Sequence, residues 1–148
     1  DSSTSRGLGD VYKRQWKYDK KVSANIYYSD AMSHKIYASC DAFLMPSLFE
    51  PCGLSQLMSL RYGTLPIVRE TGGLKDSITD SGDGQGNGFT FKTYNTGDML
   101  HSLHRAIYAY NSDKEGWGVL VDRAMGCDNS WGRSANEYIR LYKQILKG

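Results

Sequence analysis

The chain has 148 residues, 40% of them hydrophobic and 23% charged, and its formal net charge is +2. This length and composition suit one globular domain with its own core, and so small a charge does not point to nucleic acid as a partner. No apolar run approaches the ~20 residues of a membrane-spanning helix and the start of the chain is polar, so we expect neither a membrane segment nor a signal peptide.

The cysteines bear on compartment and on metal binding. Cys40, Cys52 and Cys127 are too few and too scattered for a disulfide scaffold. None belongs to a C-x-x-C pair, so no structural zinc site is predicted. A reducing cytoplasm is the simplest location for such a chain.

The first fifteen residues are mostly polar and show no hydrophobic periodicity. Residues 1–15 are therefore predicted to form a disordered leader, which is either a translated cloning scar or a native linker. The folded domain is predicted to occupy residues 16–148.

After Trp16, apolar runs and helical spacings alternate. Four strands are predicted, at residues 25–28, 42–45, 65–68 and 88–91. Helices are predicted at residues 29–40 and 54–62, and three more after Thr96, marked by residues 99–110, 117–125 and 131–146. Thr71-Gly72-Gly73 is predicted as a tight turn that either lines a ligand cleft or only reverses the chain.

This order of elements predicts an α/β fold, with a partial Rossmann-like parallel sheet followed by C-terminal helices. Four strands are fewer than the about five or six of a complete doubly wound sheet. We therefore expect residues 16–148 to be an incomplete domain whose N-terminal part is missing.

The loop at residues 47–52 is the best candidate for chemistry, because it leaves a buried strand and enters a helix. The first amides of that helix, near Gly53, Leu54 and Ser55, lack intrahelical partners and suit a phosphate. The carboxylate of Glu50 can accept hydrogen bonds from sugar hydroxyls. A phosphorylated sugar has this polarity, although a solvated turn would also fit the pattern.

The residues of this loop carry a resemblance to a known family. Residues 49–56 read FEPCGLSQ, and residues 60–69 and 71–76 continue the similarity almost without a gap. They resemble the glycogen and starch synthases, with looser similarity over about residues 22–147. The resemblance implies the C-terminal donor domain of a two-domain (GT-B) retaining glycosyltransferase. Such an enzyme transfers glucose from ADP-glucose to the non-reducing end of an α-1,4-glucan, without a metal or cofactor.

The resemblance also implies roles for individual residues. Glu50 matches the family's essential acid, which contacts the donor glucose, and is the predicted catalytic residue. Backbone groups of Cys52 and Gly53 would touch the same sugar. Leu54 and Ser55, at the start of the helix, would hold the distal phosphate.

Two further positions bear on the donor. Tyr28 matches the aromatic residue that stacks on adenine, although a tyrosine there could also be core or surface filler. Met58 stands where many related retaining transferases carry a second glutamate. Glycogen synthases commonly lack that acid, so Met58 counts against a sucrose- or UDP-sugar-using relative.

The family's arginine and lysine that neutralise the diphosphate lie upstream of the matched stretch, as does the domain with the glucan acceptor groove. Because departure of ADP develops negative charge, we expect no turnover by this chain alone. A UDP-sugar-using GT-B enzyme, and a nucleotide- or glucan-binding module without turnover, remain alternatives.

Most of these histidine and tryptophan residues are predicted to have structural roles and not catalytic or ligand-binding ones. His101 and His104 share a helix face but have no acidic or cysteine partner, so exposed or capped side chains are expected. His34 is expected to make a structural hydrogen bond. Trp117 and Trp131 are expected to anchor helix packing, with a glucan-binding surface as the alternative.

Overall fold

The computed structural model describes the backbone of residues 2–147, with side chains other than those of residues 2–6, 8 and 83. The chain divides into two compact units, with the boundary between Met32 and Ser33. No helix in the described part of the chain has the length and apolar character needed to cross a membrane.

The first unit contains helix α1, Ser2–Lys17. Basic side chains in its last turn, Arg14 and Lys17, complement the helix dipole. Gln15 accepts a hydrogen bond from the Ala24 amide (2.6 Å), which ties the following segment to the helix. Helix α1 covers residues 2–15, for which the sequence predicted a disordered leader, and the division of the chain at residue 16 stays a prediction. Residue 1 lies outside the described residues.

The predicted strand at residues 25–28 is absent, and this segment is irregular. Tyr27 and Tyr28 are 60% and 93% exposed. An extended run without a neighbouring strand leaves its backbone groups unpaired, so apolar composition alone did not make a strand. Helix α2, Asp30–Ser39, follows as predicted, and the hydroxyl of Ser29 caps it by accepting from the Met32 amide (3.2 Å).

The second unit is built on a parallel sheet of three strands in the described chain, rather than the four expected. These strands are β1 (Ala42–Met45), β2 (Leu65–Arg69) and β3 (Phe89–Phe91), in the order β1-β2-β3. Ala42 pairs with Leu65 and Ile67 with Phe89. The α/β fold with a parallel sheet is thus confirmed.

Helices connect and cover these strands. Helix α3 (Ser55–Arg61) links β1 to β2, and α4 (Gly72–Ser77) with a 3-10 turn (Ser81–Asp83) links β2 to β3. The predicted turn at residues 71–73 is the start of α4. Three longer helices complete the unit: α5 (Thr96–Ser112), α6 (Lys114–Met125) and α7 (Trp131–Ile145).

The core lies around the central strand β2, whose residues Leu65, Ile67 and Val68 are all at most 1% exposed. Trp117 of α6 packs against Phe89, with ring centroids 6.1 Å apart, as its predicted packing role requires. Trp131 does not, because it is 90% exposed at the start of α7, a helix with no buried side chain. Helical spacing alone did not reveal whether that face had a packing partner.

One carboxylate holds the loop before β3. Asp80 accepts from both terminal nitrogens of Arg105 (2.5 and 3.1 Å) and from the amides of Gly82 and Thr90 (2.8 and 2.7 Å). Burial opposes ionisation of Asp80, but these hydrogen bonds outweigh it and lower its pKa. The ionised form of Asp80 therefore joins β3 to α5.

Candidate functional site

The predicted site loop lies at the carboxyl edge of the parallel sheet. It leaves the end of β1 at Met45 and enters α3 at Ser55, and the next strand, β2, ends beside it at Arg69. In open α/β sheets this edge is where ligands bind. The structure thus brings Glu50, Cys52, Gly53, Leu54 and Ser55 together in one segment, which we call the donor loop (residues 47–54) with the first turn of α3.

Glu50 is half-buried in the donor loop. Its main-chain carbonyl accepts a hydrogen bond from the amide of Gly73 (3.2 Å), which also approaches the carbonyl of Pro51 (3.2 Å). Its carboxylate makes no hydrogen bond to any residue that the structure describes. The backbone of Glu50 is therefore fixed while its side chain remains available as an acceptor for ligand hydroxyls.

The glycines at the start of α4 lie directly against the donor loop. A Cβ added at Gly72 would overlap the carbonyl oxygen of Glu50, and one at Gly73 would overlap that of Cys52. Gly72 also has a φ of +43°, in the region that favours glycine. The Thr71-Gly72-Gly73 segment thus holds the loop by backbone contact, beyond reversing the chain.

Gln56 fastens the donor loop from inside the protein. It is fully buried, and its amide nitrogen donates to the carbonyls of Cys52 (3.0 Å) and Gly53 (2.9 Å) and to the hydroxyl of Ser77 (3.2 Å). Its Oε1 atom is buried without a hydrogen-bond partner in the described structure. Gln56 belongs to the predicted motif without an assigned role, since only the fold shows that its side-chain amide reaches both α4 and two loop carbonyls.

The inward bonds of Gln56 decide which backbone groups of the loop remain for a ligand. The carbonyls of Cys52 and Gly53 already accept hydrogen bonds from its side chain, whereas their amides bond to no described residue. Gly53 has a φ of +73°, which explains why glycine stands at this bend. The loop therefore presents amide donors beside the Glu50 carboxylate.

The start of α3 adds further donors. Its N-cap residue is Leu54, whose side chain is 62% exposed and cannot cap the helix. Ser55, the first helical residue, is half-buried. The arrangement offers an acceptor for hydroxyl groups on one side and amide donors for an anion on the other.

Other predicted residues do not belong to this segment of the chain. Tyr28 belongs to the first unit and is 93% exposed, so its contact with adenine stays a prediction. The Nδ1 atom of His34 lies 3.0 Å from the hydroxyl of Tyr62, a hydrogen bond of the structural kind expected. His101 and His104 are exposed on α5, and Met58 is half-buried in α3. No three metal-binding side chains come together among the described residues.

Residues 10–115 match the family model of the glycosyl transferases group 1. The glycogen synthase of Lachnospira eligens is 60% identical over 132 residues, which are 88% of this chain and 28% of that protein. The glycogen synthase of Lachnoclostridium phytofermentans is 57% identical, over 87% of this chain and 27% of that protein. The chain therefore spans less than a third of the length of these relatives.

Solved structures agree with the sequence relatives. The catalytic domain of starch synthase IV from Arabidopsis thaliana, bound to ADP and acarbose, superposes with a TM-score of 0.84 at 41% identity. The match covers 97% of this chain and 30% of that one. Sucrose-phosphate synthase from Thermosynechococcus elongatus, at 18% identity and a TM-score of 0.66, shares the fold. With its matched segment, parallel sheet and donor loop, the chain belongs to the glycosyl transferases group 1.

Proposed function

We propose that this chain is the donor-sugar part of a glycogen synthase that uses ADP-glucose. The observation that carries the proposal is the donor loop, in which a free carboxylate stands beside unbonded amides on a backbone fixed from two sides. The similarity to glycogen synthases and to an ADP-bound starch synthase structure supports this donor. The free cysteines are in keeping with the cytoplasm, which we propose as the location.

In this reaction the bond between the glucose anomeric carbon and the ADP phosphate oxygen breaks. A bond from the same carbon to the 4-hydroxyl oxygen of the α-1,4-glucan forms on the same face, with retention, and the hydroxyl proton leaves to the departing diphosphate. Glu50 orients the sugar and supports the oxocarbenium-like transition state electrostatically. The amides of Cys52 and Gly53 contact the sugar, and those of Leu54 and Ser55 hold the distal phosphate.

Calorimetry on the 148-residue chain tests the donor part of the proposal. We expect ADP to bind, UDP to bind more weakly, and maltooligosaccharides not to bind, because the acceptor groove is assigned to another domain. Preference for UDP would favour a UDP-sugar enzyme, and binding of maltooligosaccharides alone would favour a glucan-binding module. A radiometric glucan-elongation assay on the same chain should show no turnover. Clear elongation would contradict the expectation that transfer needs the family's arginine and lysine that neutralise the diphosphate, which the matched stretch does not include.

The role of Glu50 is tested in a chimera, the Lachnospira eligens glycogen synthase with residues 16–147 of this chain in place of its matching segment. Glu50→Gln keeps the size of the side chain and removes its charge. We expect the loss to fall mainly on kcat, by ~100-fold, because the charge acts in the transition state. The matched control is Glu115→Gln, an exposed acid on α6. Unchanged kcat in Glu50→Gln would overturn the role.

A further inference from the structure

The donor loop has a second attachment, at its amino-terminal side. Arg69, the last residue of β2, donates from Nη1 to the carbonyl oxygen of Leu48 at 2.6 Å. Leu48 lies two residues before Glu50. The bond joins the end of the central strand to the backbone that carries the predicted catalytic carboxylate.

Side chains in this half of the loop add little to hold it. Leu48 is 62% exposed and Phe49 is 75% exposed, so neither is anchored in the core. The known attachments on the other side, from Gly73 and Gln56, act on residues 50–53. The bond from Arg69 is thus the attachment that the structure shows for the backbone at Leu48.

Arg69 is itself held in place by an aromatic ring. Its guanidinium carbon lies 5.6 Å from the ring centroid of Tyr94, which follows β3. Arg69 also pairs in register with Phe91, three residues before Tyr94. A flat guanidinium stacks on such a ring in a way that a lysine ammonium does not reproduce.

We infer that Arg69 is a positioning residue for the donor loop, which fixes the backbone ahead of Glu50 through Leu48 while Tyr94 holds the guanidinium. Charged hydrogen bonds of this kind are among the stronger ones in proteins. Its effect on catalysis rests on the proposed function, whereas its effect on the order of the loop does not.

The order of the loop is measured by ¹⁵N relaxation on the 148-residue chain. In the unchanged chain we expect the amides of Leu48, Phe49 and Glu50 to be rigid, with order parameters of ~0.85. In Arg69→Gln they should fall below ~0.6 while the sheet amides keep their values. The control Arg61→Gln removes an exposed arginine at the end of α3 and should change neither.

Two further variants keep the inference testable if Arg69→Gln does not fold. Tyr94→Leu removes the ring but leaves the arginine, and should loosen the same three amides by a smaller amount. Arg69→Lys keeps the charge and a hydrogen-bond donor group but loses the guanidinium that stacks on Tyr94, and should give order parameters below those of Tyr94→Leu and above those of Arg69→Gln. A loop that stays rigid in the folded variants overturns the inference.

Kinetics in the same Lachnospira eligens chimera complete the test. Arg69→Gln should lower kcat by roughly 10- to 100-fold, the range expected for a lost charged hydrogen bond, with a smaller change in KM for ADP-glucose. Arg69→Lys should recover part of kcat. If the unchanged chimera transfers no glucose, the proposed function fails while the relaxation data still decide the inference. If the unchanged chimera transfers glucose and Arg69→Gln has the same kcat as Arg61→Gln, the inference about Arg69 fails while the proposed function stands.

Discussion

Replacing Gln56 by glutamate tests whether the hydrogen bonds from its side-chain nitrogen stabilise the donor loop. The change replaces an NH₂ group by an oxygen and leaves the size of the side chain unchanged. At Gln56 that nitrogen faces the carbonyls of Cys52 and Gly53 at 3.0 and 2.9 Å. In Gln56→Glu, two carbonyl oxygens would therefore face a fully buried carboxylate, and the nearby hydroxyl of Ser77 already donates to the carbonyl of Gly73.

The magnitude follows from burial and from the missing partners. Burial without a positive charge raises a glutamate pKa by roughly 2 to 3 units, and each unit is worth about 1.4 kcal/mol. Gln56→Glu should therefore lower the free energy of unfolding by ~3–4 kcal/mol at pH 7, a large share of the ~5–15 kcal/mol of an ordinary domain. A protonated glutamate can donate to one of the carbonyls, so the loss should shrink as pH falls.

The pH dependence has a definite sign. Because the pKa at residue 56 in this variant would be higher in the folded state than in the unfolded state, the loss appears above about pH 4.3 and grows with pH up to the folded-state pKa. Urea denaturation followed by tryptophan fluorescence, at pH 4 to pH 8, compares the variant with the unchanged chain. Gln144→Glu, at an exposed position on α7, is the control and should cost less than ~1 kcal/mol. A loss that is the same at pH 4 and pH 8, or under ~0.5 kcal/mol at pH 7, would refute the reasoning.

Two other changes test neighbouring contacts. Gly73→Ala should lower the free energy of unfolding by ~1–3 kcal/mol in urea denaturation, because its Cβ would overlap the Cys52 carbonyl. The control is Gly118→Ala in α6, where a Cβ meets open space and the change should be neutral or stabilising. Equal effects of the two changes on stability would contradict the packing argument. Asp80→Asn should cost ~1–2 kcal/mol at pH 7, since the pair with Arg105 is about one-third exposed. Because folding lowers the pKa of Asp80, the difference in free energy of unfolding between the unchanged chain and Asp80→Asn should decline below about pH 4. A difference that stays constant down to pH 3 would contradict a stabilising role for the ionised carboxylate.

The parts of the fold that the sequence predicted are those with strong local signals. The apolar run at residues 42–45 became β1, and the one at residues 65–68 became most of β2. The residues of the run at 65–68 are all buried, as a continuous apolar run predicts, whereas β1 alternates exposed and half-buried residues. The helix from Asp30 was marked by its Ser29 cap. Residues 25–28 carried a similar apolar signal but have no pairing partner, and pairing is a property of the whole fold.

The part of the candidate site that the sequence predicted is also the part with a local signal, namely a continuous motif. The motif placed Glu50, Cys52, Gly53, Leu54 and Ser55 in one segment, and the fold keeps them together at the sheet edge. What holds that segment was not predictable from spacing. Its long-range attachments come from residues that are 21 to 23 positions away in the chain, as for Arg69 with Leu48 and Gly73 with Glu50, so they exist only after β2 is placed beside β1.

The contact between the start of α4 and the donor loop constrains how this family segment can vary during evolution. Gly72 and Gly73 touch main-chain atoms of Glu50, Pro51 and Cys52 and leave the loop side chains out of the contact. Replacements at the exposed Cys52 can therefore change what the loop recognises without altering its path. An insertion or deletion between residues 47 and 53 would break the fit of the two backbones, so new donor preferences should arise here by substitution at constant loop length.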